Sequence, residues 1–439
     1  MESRVTSQTA LVESLDHEGR GVAHIDGKVV FIEGALAGEE VEFDFIKRRA
    51  TYDLGTVTRI SKPSAMRVTP RCIHFGVCGG CSMQHLEPRA QVAVKQRVLE
   101  DNLERIGKVT PEMMLTPIYG PIWEYRYRAR FTARFVLKKG RMLVGFHERK
   151  STYVAEMNSC AVVPSRISRL IVPLRELIGG LSIADRVPQI ELAIGAEVDV
   201  LVLRILEPLT AADEDRVRHF ADAYKIQMFL QTKGPETAVP FHPLSSPALR
   251  YLIPDFSIEI PYLPTDFTQV NHEINRVLIR RALSLLDPQP GERVADMFCG
   301  LGNFSLAIAR RGARVVGVEG NPGLVRRAAR NAAHNGLDQL ATFIDRDLFK
   351  IFREDIAALG LFDRMLIDPP RDGAMELIKA LHGHGPRRIV YVSCNPSTLA
   401  RDAAVLVHQQ GYRLRSAGVI NMFPHTSHVE SIAMFEQPQ

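Results

Sequence analysis

Long apolar runs are missing from this chain: none of its 439 residues lies in a stretch approaching the roughly 20 that cross a bilayer as a helix. The opening residues, Met-Glu-Ser-Arg-Val-Thr-Ser-Gln, lack the apolar centre of a secretory leader. A cytoplasmic protein with no membrane partner is expected. Cysteine is scarce, six in all, which argues against a disulfide-built scaffold; in a reducing compartment six cysteines point to metal or catalysis. Acid is not in excess either. The chain carries +5, and residues 51 to 160 alone hold 18 Lys+Arg against 9 Asp+Glu. That asymmetry suits an extended anionic partner such as RNA, with a solvated basic face as the plain alternative. The remaining composition, 46% hydrophobic and 24% charged, is that of a soluble globular protein, and the length suggests about three domains.

Between residues 9 and about 62, five short β-type runs (Ala10 to Leu15, Val22 to Ile25, Val29 to Glu33, Glu40 to Ile46, Leu54 to Ile60) alternate with turn signals such as Glu18-Gly19 and Asp26-Gly27. They predict an OB-like β-barrel. The segment from Gly19 through Glu39 resembles a TRAM domain, an RNA-binding appendage of RNA-modifying enzymes. Lys62 to Pro70 reads as a linker. Cys72, Cys78 and Cys81 then follow in C-x5-C-x2-C spacing, with Gly79-Gly80 allowing a tight fold between them. Cys160 is the available fourth thiolate before the last domain. Three clustered cysteines and one remote suit an iron–sulfur cluster, and zinc remains the alternative. Residues 91 to 106 form an amphipathic helix by periodicity, with Val94, Val98, Leu99, Leu103 and Ile106 on its stripe. In Tyr125-Arg-Tyr-Arg-Ala-Arg-Phe-Thr-Ala-Arg134, strand periodicity sets Arg126, Arg128, Arg130 and Arg134 on one face, a guanidinium row suited to phosphates beside aromatics suited to bases. The pattern to about residue 265 is mixed α/β.

From Glu292 onward strand and helix alternate, which predicts a doubly wound parallel sheet binding its ligand at the carboxyl ends of the strands. Asp296-Met-Phe-Cys-Gly-Leu-Gly-Asn303 ends the first strand without the third glycine of a dinucleotide fingerprint. Glu319 ends the second strand, where a carboxylate can accept from ribose hydroxyls. Asp347 follows the third, within reach of an adenine amino group, and Asp368-Pro-Pro-Arg371 closes the fourth. An acidic ligand set fits S-adenosylmethionine better than a pyrophosphate; a nicotinamide dehydrogenase is the runner-up. The strand Arg388 to Val392 runs into Ser-Cys394-Asn-Pro396, with Asn395 as cap and Pro396 opening a helix. A helix N-terminus lowers a thiol's pKa, so Cys394 is the candidate nucleophile, against the plain reading of a structural cysteine.

Taken together, Cys72/Cys78/Cys81/Cys160, Phe267-Thr-Gln269-Val-Asn271, the Asp296–Asn303 loop, Val-Gly-Val-Glu319, Asp368-Pro-Pro-Arg, Ser-Cys394-Asn-Pro and Phe423-Pro-His425-Thr-Ser-His428-Val-Glu430 resemble the RNA uracil-C5 methyltransferases over nearly the whole chain. The likeness is strongest to the RlmD type, which modifies 23S ribosomal RNA and carries a TRAM domain and a 4Fe-4S cluster. The resemblance implies a TRAM barrel at 1–62, a central mixed α/β RNA-binding domain with the cluster site at 63–265, and a class I (Rossmann-like) methyltransferase domain at 266–439, on which the helix at 91 to 106 packs. It implies Gln269, Phe298, Asn303, Glu319, Asp347 and Asp368 as cofactor contacts, although relatives commonly carry Asn at the position of Asp347, and the four cysteines as cluster ligands. It also implies that Cys394 adds to C6 of a uracil, that Glu430 removes the C5 proton, and that Phe267 stacks on the extruded base. Transfer RNA relatives are expected to lack barrel and cluster, so both weigh towards 23S ribosomal RNA as the partner. A monomer is expected. The remaining alternative is an RNA-binding protein with a vestigial methyltransferase domain.

Overall fold

The structure, a computed structural model, describes residues 8–438. Its first sheet has six strands, β1 (Gln8–Leu11), β2 (Ser14–Leu15), β3 (Gly21–Ile25), β4 (Lys28–Glu33), β5 (Glu40–Arg48) and β6 (Tyr52–Lys62), in the order β1-β5-β6-β4-β3-β2. Six replace the five expected because the first run turns a corner. Val12 donates to the Glu39 carbonyl and Glu13 to that of Val22, so the chain changes partners between β1 and β2. Val12, Val30, Ile32, Val41 and Phe43 fill the interior.

Helix α1 (Pro88–Asn102) opens on Pro88 with the Glu87 carboxylate accepting from the Ala90 amide. It ends in a wider turn at Leu103–Gly107, so the regular helix expected to residue 106 stops short and Ile106, expected on the inward stripe, is exposed. A Cβ on Gly107 would meet the Ala400 carbonyl oxygen at 2.7 Å, so the close approach there needs glycine. The buried row along α1 is Gln91, Lys95, Leu99 and Leu103, spaced by four; its two leading positions are polar.

The short β7 (Met113–Met114) comes next, and then a central sheet of β8 (Arg128–Val136), β9 (Arg141–Gly145), β10 (Gln189–Ile194), β11 (Asp199–Arg204), β12 (Gln227–Gln231) and β13 (Val239–His242), ordered β13-β12-β11-β10-β8-β9. A two-stranded ribbon, β14 (Arg250–Ile253) and β15 (Ile258–Pro261), leads to helix α2 (His272–Leu286).

The last sheet has eight strands: β16 (Arg293–Met297), β17 (Arg314–Glu319), β18 (Ala341–Asp345), β19 (Arg364–Ile367), β20 (Arg388–Ser393), β21 (Arg413–Ile420) and β22 (Glu430–Glu436), joined at one edge by β7. Its order is β18-β17-β16-β19-β20-β22-β21-β7. The five strands β16 to β20 are parallel, while β22 runs antiparallel between β20 and β21, so the expected all-parallel sheet is mixed. Alternate residues of β20 serve opposite cores, Val390 and Val392 facing one and Ile389 and Tyr391 the other. Both faces are therefore covered, α2 on the first and, on the second, α1 with the helix α3 (Pro396–His408). Among the described residues no helix is long and apolar enough to cross a membrane.

Candidate active site

The carboxyl ends of β16, β17, β19 and β20 open into one cavity of about 540 Å³. At its floor the chain turns sharply after β16: the Phe298 and Cys299 amides both donate to the Val318 carbonyl, at 2.9 and 3.1 Å, and Phe298 takes a φ of 64°. Gly300 continues the turn at φ 56°, where a side chain would be strained, and its amide donates to a Glu319 carboxylate oxygen at 3.2 Å. The other oxygen accepts from the Asn321 amide at 2.9 Å, so Glu319 is held rigidly at the end of β17.

Gln269, Phe298, Asn303, Glu319, Asp347 and Asp368 all line this cavity, together with Cys394 and Glu430. Their roles differ. Asn303 is spent on internal contacts, its Oδ1 accepting from Tyr251 and Asn275 at 3.0 and 2.9 Å and its Nδ2 donating to Asn275. Asp347 stands half-exposed at the rim beside Lys350 at 3.3 Å. Phe267, at 71% exposed, projects from the mouth as a free aromatic face.

Cys394 sits where β20 becomes α3, and Asn395 caps that helix by accepting from the Ser397 amide at 3.1 Å. The expected lowering of the thiol's pKa is overturned. Burial pushes it up to about 12, and the Glu430 and Asp368 carboxylates add to the rise; the Arg371 cation opposes it. Burial, with two carboxylates beside the sulfur, outweighs a helix terminus whose influence is worth about 0.3–1 kcal/mol. The resting thiol keeps its proton. Burial likewise lifts Asp368 to about 7, with help from Asp296 behind it, and Glu430 to about 8, with help from Asp368. Glu430, 8% exposed at the start of β22, forms no ion pair with an arginine among the described residues; Arg371 and Lys95 act on it only through space.

The sequence reading assigned no role to three residues here. Arg371, exposed at the rim, donates to the His428 ring and is the cation nearest the sulfur's chemistry. His428 is kept neutral, its pKa driven to about 4 by burial and by Arg371. Lys95 reaches this region from α1, its Nζ donating to Asn421 Oδ1 at 3.0 Å and to the Phe423 carbonyl at 2.8 Å. The polar opening of an otherwise apolar i, i+4 row was the available signal.

A second cleft, about 550 Å³, adjoins the first and shares Arg371, Phe423 and His428 with it; Arg126, Arg149 and Lys150 line its far wall. The arginine row expected on β8 is corrected. Arg126 precedes the strand, and Arg128 and Arg130 both pair with Glu191 on the neighbouring β10, at 3.5 and 2.9 Å. Arg128 also donates to the Asp266 carbonyl, and Asp266 receives Arg327 at 2.6 Å, so Arg128 braces the segment that carries Phe267 and Gln269. Arg126 and Arg134 remain for a partner.

Cys72, Cys78, Cys81 and Cys160 line one narrow enclosure walled by Phe75, Phe146 and Met157. Burial, with a smaller contribution from the neighbouring thiolates, raises the Cys78 and Cys81 thiols to about 11 and 12. An all-sulfur donor set of this kind suits iron–sulfur or zinc chemistry. No group of three or more His, Cys, Asp or Glu side chains among the described residues converges on one ion-sized point.

The family model described as tRNA (Uracil-5-)-methyltransferase matches residues 253–437, and that of the TRAM domain matches residues 3–52. A 23S rRNA (uracil(1939)-C(5))-methyltransferase RlmD from Aromatoleum aromaticum is 61% identical over 429 residues, covering 98% of this chain and 99% of its own. One from Nitrosospira multiformis is 59% identical over 429 residues, covering 97% and 98%. The crystal structure of a Pyrococcus abyssi tRNA (uracil-54, C5)-methyltransferase with S-adenosyl-L-homocysteine superposes with a TM-score of 0.74 at 24% identity, covering 98% of this chain and all of that one. A transfer RNA enzyme therefore shares the whole fold, barrel included, and the expectation that the barrel separates the two classes of substrate does not hold. Identity does separate them, and by that measure the chain belongs to the RlmD family of 23S rRNA (uracil-C5)-methyltransferases.

Proposed function

We propose that this protein methylates C5 of one uridine in 23S ribosomal RNA, the counterpart of uracil 1939 in its relatives' names, through a covalent bond between Cys394 and the base. The observation that carries the reading is that Cys394, Asp368 and Glu430 share one cavity with Phe298 and Glu319 at the ends of the parallel strands. S-adenosylmethionine, when bound there, supplies an electrophilic methyl group on a cationic sulfur.

C5 of uracil is too weak a nucleophile to take that methyl unaided. Cys394 loses its proton to the Asp368 carboxylate, which leaves Glu430 free for the later step, and the Cys394 sulfur bonds to C6. The C5–C6 electron pair moves onto C5 and O4 as an enolate, which C5 uses to capture the methyl group. Glu430 then takes the C5 proton, the electrons of that bond re-form C5=C6, and the sulfur leaves. A carboxyl near pKa 8 is matched to this work, since it accepts a proton and returns it at neutral pH. Gln269, Asp368 and Phe267 line the same cavity; in this reading the first two hydrogen-bond the uracil edge and Phe267 stacks on the base as it leaves the RNA. The adjoining basic cleft with Arg126, Arg149 and Lys150 suits the flanking phosphates.

The units we assign are a TRAM barrel at 1–62, a central domain at 63–265 and a catalytic domain at 266–439 that borrows α1 and β7. For the cysteines, a 4Fe-4S cluster is the better reading than zinc. Zinc bonds of about 2.3 Å would draw the sulfurs to a single point, whereas a cluster spreads them around a cage. No redox step occurs in the reaction, which leaves the cluster a structural or RNA-positioning part. We place the protein in the cytoplasm, acting as a monomer.

Methyl transfer to 23S rRNA lacking the modification, followed by mapping of the product nucleotide, tests this reading. Cys394→Ala should abolish both methylation and the adduct with 5-fluorouracil RNA, and Glu430→Gln should trap the natural substrate as a covalent, methylated adduct. Normal turnover by either variant refutes the role given to that residue.

A further inference from the structure

Lys95 is 1% exposed, yet its ammonium meets only two neutral acceptors, Asn421 Oδ1 and the Phe423 carbonyl, and forms no ion pair among the described residues. A buried charge without a counter-charge is costly and calls for a reason. The segment it grips, Asn421 to Val429, leads directly into Glu430, and Glu430 is the one carboxylate whose charge reaches Lys95. Around Glu430 stand Asp368 and Arg371 from the loop after β19, Cys394 from the end of β20, His428 from its own segment, and Lys95 from α1. Asp368 opposes ionisation of Glu430, and His428 is neutral. Of the two cations, Arg371 lies exposed at the rim, where solvent and salt screen it; Lys95 lies inside.

We propose that Lys95 is a positioning residue for proton removal: from α1 it anchors the Asn421–Val429 segment and supplies a buried positive charge that favours the ionised form of Glu430 beside Asp368. The proposal rests on the reading of Glu430 as the base. It gives α1 a part in the chemistry that its place in the chain, ahead of the central domain, would not suggest. Burial lowers the Lys95 pKa to about 7 and the nearby Glu430 charge holds it up, the mutual dependence expected of such a pair.

Without the cation, Glu430 becomes harder to ionise, and each pH unit of that rise lowers the ionised fraction about tenfold at pH values below the original one. The test compares full-length wild type with K95Q, K95M, K95R and E430Q. One readout is single-turnover methylation of unmodified 23S rRNA across neutral to alkaline pH. The other is adduct formation with 5-fluorouracil RNA, which has no C5 proton to remove. K95Q keeps donors for Asn421 and Phe423 and loses only the charge. It should form the fluorouracil adduct at the wild-type rate, turn over natural RNA about tenfold more slowly at neutral pH, and show its rate–pH curve displaced by about one pH unit to the alkaline side. K95R should restore the curve, and K95M should show the same displacement with an added loss of thermal stability. A wild-type curve for K95Q overturns the proposal, as does adduct formation that falls in step with turnover, or an alkaline displacement in K95R, which is the decisive variant should K95Q not fold. If E430Q traps no natural-substrate adduct, the base assignment itself fails. If E430Q traps it while K95Q is unchanged, only the role of Lys95 falls.

Discussion

The resting thiol of Cys394 should be a poor nucleophile towards small reagents, and the structure sets how poor. Its pKa is lifted from 9.0 to about 12, first by burial and then by Glu430 and Asp368. A rise of that size cuts the thiolate population at neutral pH about a thousandfold. The remaining thiolate is more reactive because it is more basic; a Brønsted slope of about 0.4–0.5 recovers about 15- to 30-fold. Iodoacetamide should therefore alkylate Cys394 about 30- to 60-fold more slowly than an unhindered thiol at pH 7, as followed on the Cys394 peptide by mass spectrometry. The rate should climb about tenfold per pH unit with no plateau below about pH 11. Above about pH 8, where Glu430 itself ionises, E430Q should react faster than wild type, because one of the charges opposing the thiolate is gone. A plateau near or below neutrality, or alkylation as fast as that of a free peptide thiol, would show the helix terminus prevailing over the carboxylates. In that event the need for a neighbouring base to take the thiol proton would vanish.

Replacing Arg126 by Ala should weaken RNA binding in proportion across sequences and flatten the plot of log affinity against log salt by about 0.7, one single-strand phosphate contact; an unchanged slope removes Arg126 from the interface. Protein purified without oxygen should contain about four iron atoms with matching sulfide and absorb broadly in the visible, both lost in Cys81→Ser. Stoichiometric zinc in their place would reverse the choice of metal.

What could be read in the sequence was mostly local. A strand, a sharp turn and a capped helix leave their marks on neighbouring residues, so the Asp296–Asn303 loop, Glu319, Asp368 and Cys394 were all recognisable where they stand, and the cavity does draw them together. Failures came from partners distant in the chain. Nothing near Arg128 announces Glu191 on β10, 63 positions away, so a row of four arginines looked free when two of them share that one carboxylate. Likewise the acidity of Cys394 is governed by its burial and by Asp368 and Glu430, which only the sheet order places beside it. The burial of two polar side chains on α1 is explained only by Asn421, which accepts from Lys95, and by the His425 amide, which donates to Gln91, contacts spanning 326 and 334 residues. The nicotinamide alternative and the vestigial enzyme both lose their footing once the family is known and the proposed nucleophile and base, Cys394 and Glu430, line one cavity.

Because α1 and β7 belong spatially to a sheet whose other strands begin only at Arg293, the ribosome delivers the first pieces of the catalytic unit long before the rest. Leu99 and Leu103 must wait, unburied, until Leu399, Ala400 and Ala403 have emerged, so the methyltransferase cannot finish folding ahead of translation of its own carboxyl end. A fragment cut at residue 266 would begin life with one core face bare and Glu430 without its distant lysine. Anyone seeking to graft this catalytic unit onto another RNA-binding module would have to carry residues 88–118 along with it.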